Sequence, residues 1–250
     1  MKLIYAFIFS LFVGFIPSIA QNDLIPSQPS PPTLYTNLSK EQPQFLDGEQ
    51  AGNMEQKLIS VAESSSNQIA IVVVDNFGGS DANDFGTRLF NKWGIGKGEK
   101  NNGVLILVKP TEDNGGRKTY IIVGNGLETA LPDITCKEII DNEIIPSFKD
   151  GKYFDGLSNG VDVIAKFVTG EINEKDYSAR KGSNFPWKYI IIAIILIIIF
   201  SRGFGGGVGG LIIGSGGFSR GGFGGGGFGG GGFGGFGGGH SSGGGAGGSW

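Results

Sequence analysis

Apolar residues gather in two kinds of run along the chain. Three runs are short and dense: QIAIVVV from Gln68 to Val74, GVLILV from Gly103 to Val108 and TYIIVG from Thr119 to Gly124. In the first two, β-branched and aliphatic residues stand at both parities, so these runs predict strands covered on both faces. Elsewhere the period changes to a helical one. Met54, Leu58 and Val61 predict a first helix; Phe85, Leu89 and Trp93 predict a second, which Ser80 or Asp81 can cap. A third is expected from about Asp133, behind Pro132 and limited by Pro146, and a fourth carries Leu157, Val161, Ile164 and Val168 and ends at Gly170.

The order strand, helix, strand makes the first two strands a right-handed parallel unit. Asn114-Gly115-Gly116 then turns the chain, and Thr119 to Gly124 returns antiparallel beside it. The expected class is α/β, a three-layer α/β/α sandwich with a mixed central sheet occupying residues 45–170.

The ends read differently. Residues 1–20 carry Lys2, an apolar stretch and Ser18-Ile19-Ala20, the pattern of a signal peptide cleaved after Ala20. Residues 21–44, rich in Pro, Ser, Asn and Gln, are expected to be an extended linker, and 171–184 a second one. FPWKYIIIAIILIIIF has no polar face over its second half, and residues 185–201 predict one C-terminal transmembrane helix with Trp187 and Tyr189 at an interface. That makes the chain a single-pass cell-membrane protein. Its domain is extracytoplasmic, in a periplasmic or extracellular space, and its tail, 202–250, is cytoplasmic. Of the 48 glycines, 29 follow Arg202; such a tail buries too little side chain to offset its backbone entropy and is expected to be disordered.

Charge narrows the partners. The chain carries -3 overall, but residues 21–187 hold 16 Lys+Arg against 23 Asp+Glu, or -7, so no net field draws the domain to nucleic acid. The stretch WGIGKGEKNNG, residues 93–103, is not a nucleotide loop either. Phosphate-cradling glycines follow a strand and open a helix, whereas here a helix ends near Trp93 and a strand follows. Gly94 and Gly96 are therefore read as positions needing positive φ or close approach. His240, in the tail, is the one histidine, which excludes a Ser-His-Asp triad or an HExxH zinc site in the domain. Cys136 is the one cysteine; it forms no intramolecular disulfide and falls on an apolar helix face.

Carboxylate and amide chemistry is what survives. Asp75 closes the first strand, Asn101 and Asn102 precede the second, and Glu128 and Asp133 follow the third. Oxygen donors of this kind suit a hard cation, calcium or magnesium, although capping and solvation account for each residue singly.

Taken in order, QIAIVVVD, FGTRLFNKWGIG, NNGVLILV, IVGNGLETALPD and FKDGKYFDGLSNGV resemble the TPM domain over about residues 45 to 170. A membrane segment and a Phe/Gly tail ending Gly-Ser-Trp are similar to bacterial members. The resemblance implies an extracytoplasmic α/β/α sandwich. Its relatives include thylakoid-lumen proteins linked to photosystem II repair, for which acid phosphatase activity and calcium binding have been claimed, and receptor-associated membrane proteins. This sequence departs from the family where Asn101-Asn102-Gly103 replaces the commoner Asp-Asn-Gly, removing one charge, and where the pattern around Phe45-Leu46 is altered. The first expectation for function is a membrane-anchored accessory module for assembly, maintenance or quality control of envelope proteins. The alternatives are a metal-dependent acid phosphatase built on Asp75, Glu128 and Asp133, and a structural protein acting through self-association of its tail.

Overall fold

The computed structural model describes residues 25–113, 115–177 and 233–250. The segments expected as signal peptide (1–20) and membrane helix (185–201) lie outside the described residues, as do Asn114 and positions 202–232 of the tail. Among the described residues, no helix is long and apolar enough to cross a membrane.

Five strands form one sheet in chain order: β1 (Tyr35–Asn37), β2 (Gln68–Val73), β3 (Gly103–Lys109), β4 (Lys118–Val123) and β5 (Gly244–Ser249). β1, β2 and β3 run parallel, β4 antiparallel to β3, and β5 antiparallel to β4. β2 and β3 bury every residue, as their unbroken apolar runs required. Alternation divides them between two cores. Ile69, Ile71, Val104 and Ile106 face α1 (Gly48–Ser65), α3 (Asp133–Ile139), α4 (Ile145–Lys149) and α5 (Tyr153–Val168). Ala70, Val72, Leu105 and Leu107 face α2 (Ala82–Trp93) through Phe85, Leu89 and Phe90.

Local chemistry sets the helix starts. Asp47 and Gln50 form a capping box at α1, each side chain accepting the other's backbone N–H. At α2 the cap is Asp81, which accepts the Asn83 N–H at 2.8 Å, while Ser80 accepts from Arg88 instead. The helix then ends at Gly94 with φ 64°, and Gly96 has φ 97°. Both positions hold the positive φ expected of them.

Four expectations are corrected. Residues 25–44 are not a linker, because β1 lies in them and Leu34 is fully buried. Leu34 O accepts the Ile71 N–H at 2.7 Å, Leu38 N–H donates to Val73 O at 2.8 Å, and Glu55 accepts the Leu34 and Tyr35 amides. A few apolar anchors, each worth about 2 kcal/mol when buried, outweigh a polar composition. Residues 171–177 also belong to the domain, since Ile172 and Tyr177 pack into the α1-side core. Pro146 does not end a helix: residues Ile140–Ile144 loosen to a π-helical turn, and Pro146 sits in the first turn of α4, where its missing N–H costs nothing. Residues 233–250 of the tail are folded, with β5 on the edge of the sheet.

Candidate functional site at the two ends of the sheet

β1, β2 and β3 finish together at one end of the sheet. Open α/β sheets bind ligands at that end. Asp75 stands there, two residues past β2. Its carboxylate accepts the Ser39 hydroxyl, the Lys40 N–H at 2.8 Å and the Glu41 N–H at 3.3 Å. Partial burial opposes its charge, but the Ser39 hydroxyl and the two amides outweigh burial and the neighbouring Asp113. The carboxyl is therefore held below its ordinary 3.8. Thr111 ties the Asp75 carbonyl at 2.8 Å. Lys109, 1% exposed, donates to the carbonyls of Thr111, Asp113 and Gly116 and lies 3.2 Å from an Asp113 carboxylate oxygen. A cleft of about 330 Å³ beside Asp75 is lined by Pro26, Leu38, Lys40, Asn76 and Phe85. With its oxygens engaged in this way, the carboxylate is an anchor for the turn at 39–41.

The opposite end holds the other four candidates, and there Asn101, Asn102 and Asp133 serve the backbone. Asn102 is a buried brace: its amide donates to Ser66 O and Asn67 Oδ1, and its oxygen accepts the Lys97 N–H at 2.9 Å. Asn101 adopts φ 46°, and its side-chain oxygen accepts the His240 N–H at 2.8 Å. Asp133 accepts the Gly245 N–H at 2.7 Å. Glu128 lies over Gly244, where a Cβ would come within 3.1 Å of its Oε1.

The five candidates therefore divide between two ends of the sheet. β2 and β3 pair Gln68 with Gly103 and Val73 with Val108, so Asn102 lies level with Asn67, and Asp75 stands roughly eight residues of extended chain, about 25 Å, from it. One calcium or magnesium ion does not fit such a set, and among the described residues no group of three or more His, Cys, Asp or Glu side chains could hold a metal. Cys136 is buried; burial first, and then Asp133, pushes its thiol up to about 12, which matches a packing role.

What this second end does receive is the tail. Asn91 and Ser241 exchange two hydrogen bonds, side-chain amide to carbonyl at 3.0 Å and backbone N–H to side-chain oxygen at 2.9 Å. The Asn125 side chain accepts the Ser242 N–H at 2.7 Å, and Asn83 donates to Gly243 O at 3.1 Å. The WGIG loop pairs with the tail through Gly98 N–H to Gly237 O and Gly237 N–H to Gly96 O, both at 2.8 Å. β5 then runs along β4 from Val123↔Gly244 to Lys118↔Ser249, and the Trp250 ring meets Phe148 edge-on at 4.7 Å. Sequence reasoning missed Asn83, Asn91, Asn125 and Phe148. The signal available was small: after His240 the Phe-Gly repeat stops, and Ser, Ala and a terminal Trp appear.

The glycine motifs acquire a reason here. A Cβ at Gly96 would lie 2.5 Å from Gly103 N, one at Gly124 2.3 Å from Asn101 O, and one at Gly126 1.9 Å from Lys100 O. Backbone on backbone packing, at distances no side chain permits, shapes the loop cluster under the tail.

Fold and geometry together define an α/β sandwich that holds a remote glycine-rich strand on its edge. By family, the chain belongs to the TPM domain proteins, whose family profile matches residues 39–167. Among solved structures, the chain is similar to the N-terminal domain of a protein from P. gingivalis, determined by solution NMR. The two are 28% identical, with 56% of this chain and 83% of that one covered and a TM-score of 0.47. Another is the N-terminal domain of a Corynebacterium glutamicum protein, 14% identical over 56% of this chain and 79% of that one, with a TM-score of 0.40. None of the curated proteins matches the chain.

Proposed function

We propose that this is an exported, membrane-associated TPM domain protein. It serves as a binding or accessory module in the assembly, maintenance or quality control of envelope proteins. The observation that supports this reading is the sheet edge at β4, which takes up an extended segment through main-chain pairing and a handful of amide side chains. Recognition of that kind needs no reactive group. Crosslinking in intact cells, followed by purification of the full chain, is expected to recover specific membrane or envelope proteins. Recovery of nothing above a mock control overturns the reading.

A second reading, a divalent-metal-dependent acid phosphatase, has one observation in its favour and one against it, the division of Asp75, Glu128 and Asp133 between the two ends of the sheet. Asp75 keeps its charge and stands beside a cleft at the C-terminal ends of parallel strands. Purified full chain should then hydrolyse an aryl phosphate in calcium or magnesium and lose that turnover both with chelator and on Asp75→Ala. Turnover that survives both treatments belongs to a contaminant.

A further inference from the structure

We propose that the groove along β4 is a receptor site for a glycine-rich segment with a tryptophan anchor, which this chain supplies to itself as residues 233–250, so that domain and tail share one compartment. The proposal rests on the reading that the domain works by binding. It names the ligand of that site.

The site is built on the domain. Asn83 and Asn91 on α2, Asn101 before β3, Asn125 after β4 and Asp133 at the start of α3 each aim a polar atom at the tail's main chain. Contacts to main chain fix the path of a peptide without selecting its side chains. Selection comes from exclusion. A Cβ at Gly239 would lie 2.1 Å from Ile95 O, at Gly245 1.9 Å from Ile121 O, at Gly247 2.3 Å from the Tyr120 ring and at Gly248 2.6 Å from Ile140 Cγ2. Only a segment with glycine at those four positions enters without displacing backbone or core side chains. Ala246 packs on the core, Trp250 closes on Phe148, and Phe236 stacks on Trp93 at 6.2 Å, which gives the ligand apolar anchors.

GGAGGS has almost no strand propensity of its own, and ordering glycine costs more backbone entropy than ordering any other residue. The strand is therefore held by the groove and not by its own preference. A tail tied to its domain also meets the groove at a much higher effective concentration than a second copy would. One consequence concerns topology. Tyr177 and Phe233 both pack on the same domain, so the chain between them must begin and end on the same side of any membrane. A single crossing at 185–201 that left the tail in the cytoplasm would keep it from the groove.

The test uses the full chain with a photo-crosslinking phenylalanine analogue at position 250, expressed in light and heavy isotope forms that are then mixed. The expected product joins position 250 to the peptide containing Phe148, in light–light and heavy–heavy species only, with its yield reduced about tenfold or more by Gly247→Val. Absence of that product overturns the receptor site; light–heavy species overturn self-supply and make a second copy the occupant. In intact cells, a membrane-impermeant thiol reagent is expected to label Ser242→Cys and Glu63→Cys alike. Labelling of Glu63→Cys with protection of Ser242→Cys until the membrane is opened overturns the shared compartment. None of these failures touches partner recovery. Loss of partner recovery with the crosslink intact would remove the accessory reading and leave the groove and its ligand standing.

Discussion

The two ends of the sheet solve the same problem, exposed backbone where strands stop, in opposite ways. Beyond β2 and β3, nearby side chains close the end: Asp75 gathers the Ser39 to Glu41 turn, and Lys109 gathers three carbonyls from the turn just after its own strand. Before β3 and after β4, asparagines and backbone amides reach instead to residues over a hundred positions away. The first end is a closed structural cage. The second is a socket that depends on a separate segment, and the difference lies in whether the bonding partners come from the body of the domain or from the remote tail.

The sharpest way to test that contrast is at Lys109. Replacing it by Met leaves three carbonyls, one buried and two part-buried, without their donor, and the chain is expected to lose about 3 kcal/mol of stability, read as a lower urea midpoint. A loss below about 1 kcal/mol would mean that the cage does not hold this end.

Asp75→Ala should cost roughly 1–2 kcal/mol near neutral pH, discounted for partial exposure. The sign with pH follows from a folded-state carboxyl lowered beneath 3.8. The contribution is present above the ordinary carboxylate value and is lost as pH falls through the folded one. Parallel denaturation of both chains from pH 7 down to 3 should show the gap between them closing; a gap that widens in acid contradicts the assignment.

At the socket the effects are smaller in global stability. Trp250→Ala removes the ring on Phe148 and should weaken docking by about 1–2 kcal/mol, so that β4 amides facing β5 exchange hydrogen about tenfold faster. Unchanged exchange along β4 would show that the strand is held without its anchor. The smallest effect is a reporter one. Burial pushes the Cys136 thiol up to about 12, so a thiol reagent at pH 8 should react only through opening of α3, and Gly247→Val should quicken that reaction by less than about tenfold. Fast reaction in the unaltered chain would show α3 exposed.

Much of the fold was legible. β2, β3 and β4, the faces of α1 and α2, the Asp81 cap and the glycine exits at 94 and 96 all follow from local pattern, because burial on both sides demands apolar residues at both parities. β1 was not legible, since three residues amid Pro, Ser and Asn carry no period and are strand only because β2 offers an edge. Nor was the passage of the helix through Pro146, which depends on a π-helical turn packed beneath α5. For the candidate site, residue types were read correctly as oxygen donors, but their placement was not. Asp75 and Asn102 look close in a list of polar residues and stand a strand's length apart in the sheet.

By itself the sequence determined the doubly covered strands and the helices that cover them, because each depends on residues adjacent in the chain. Tertiary structure decided what the asparagines and the tail are for. A glycine-rich segment has no preference that local reasoning can read. Its conformation is imposed by side chains that bond its backbone, brought together from α2, the loops flanking β3 and β4, and α3.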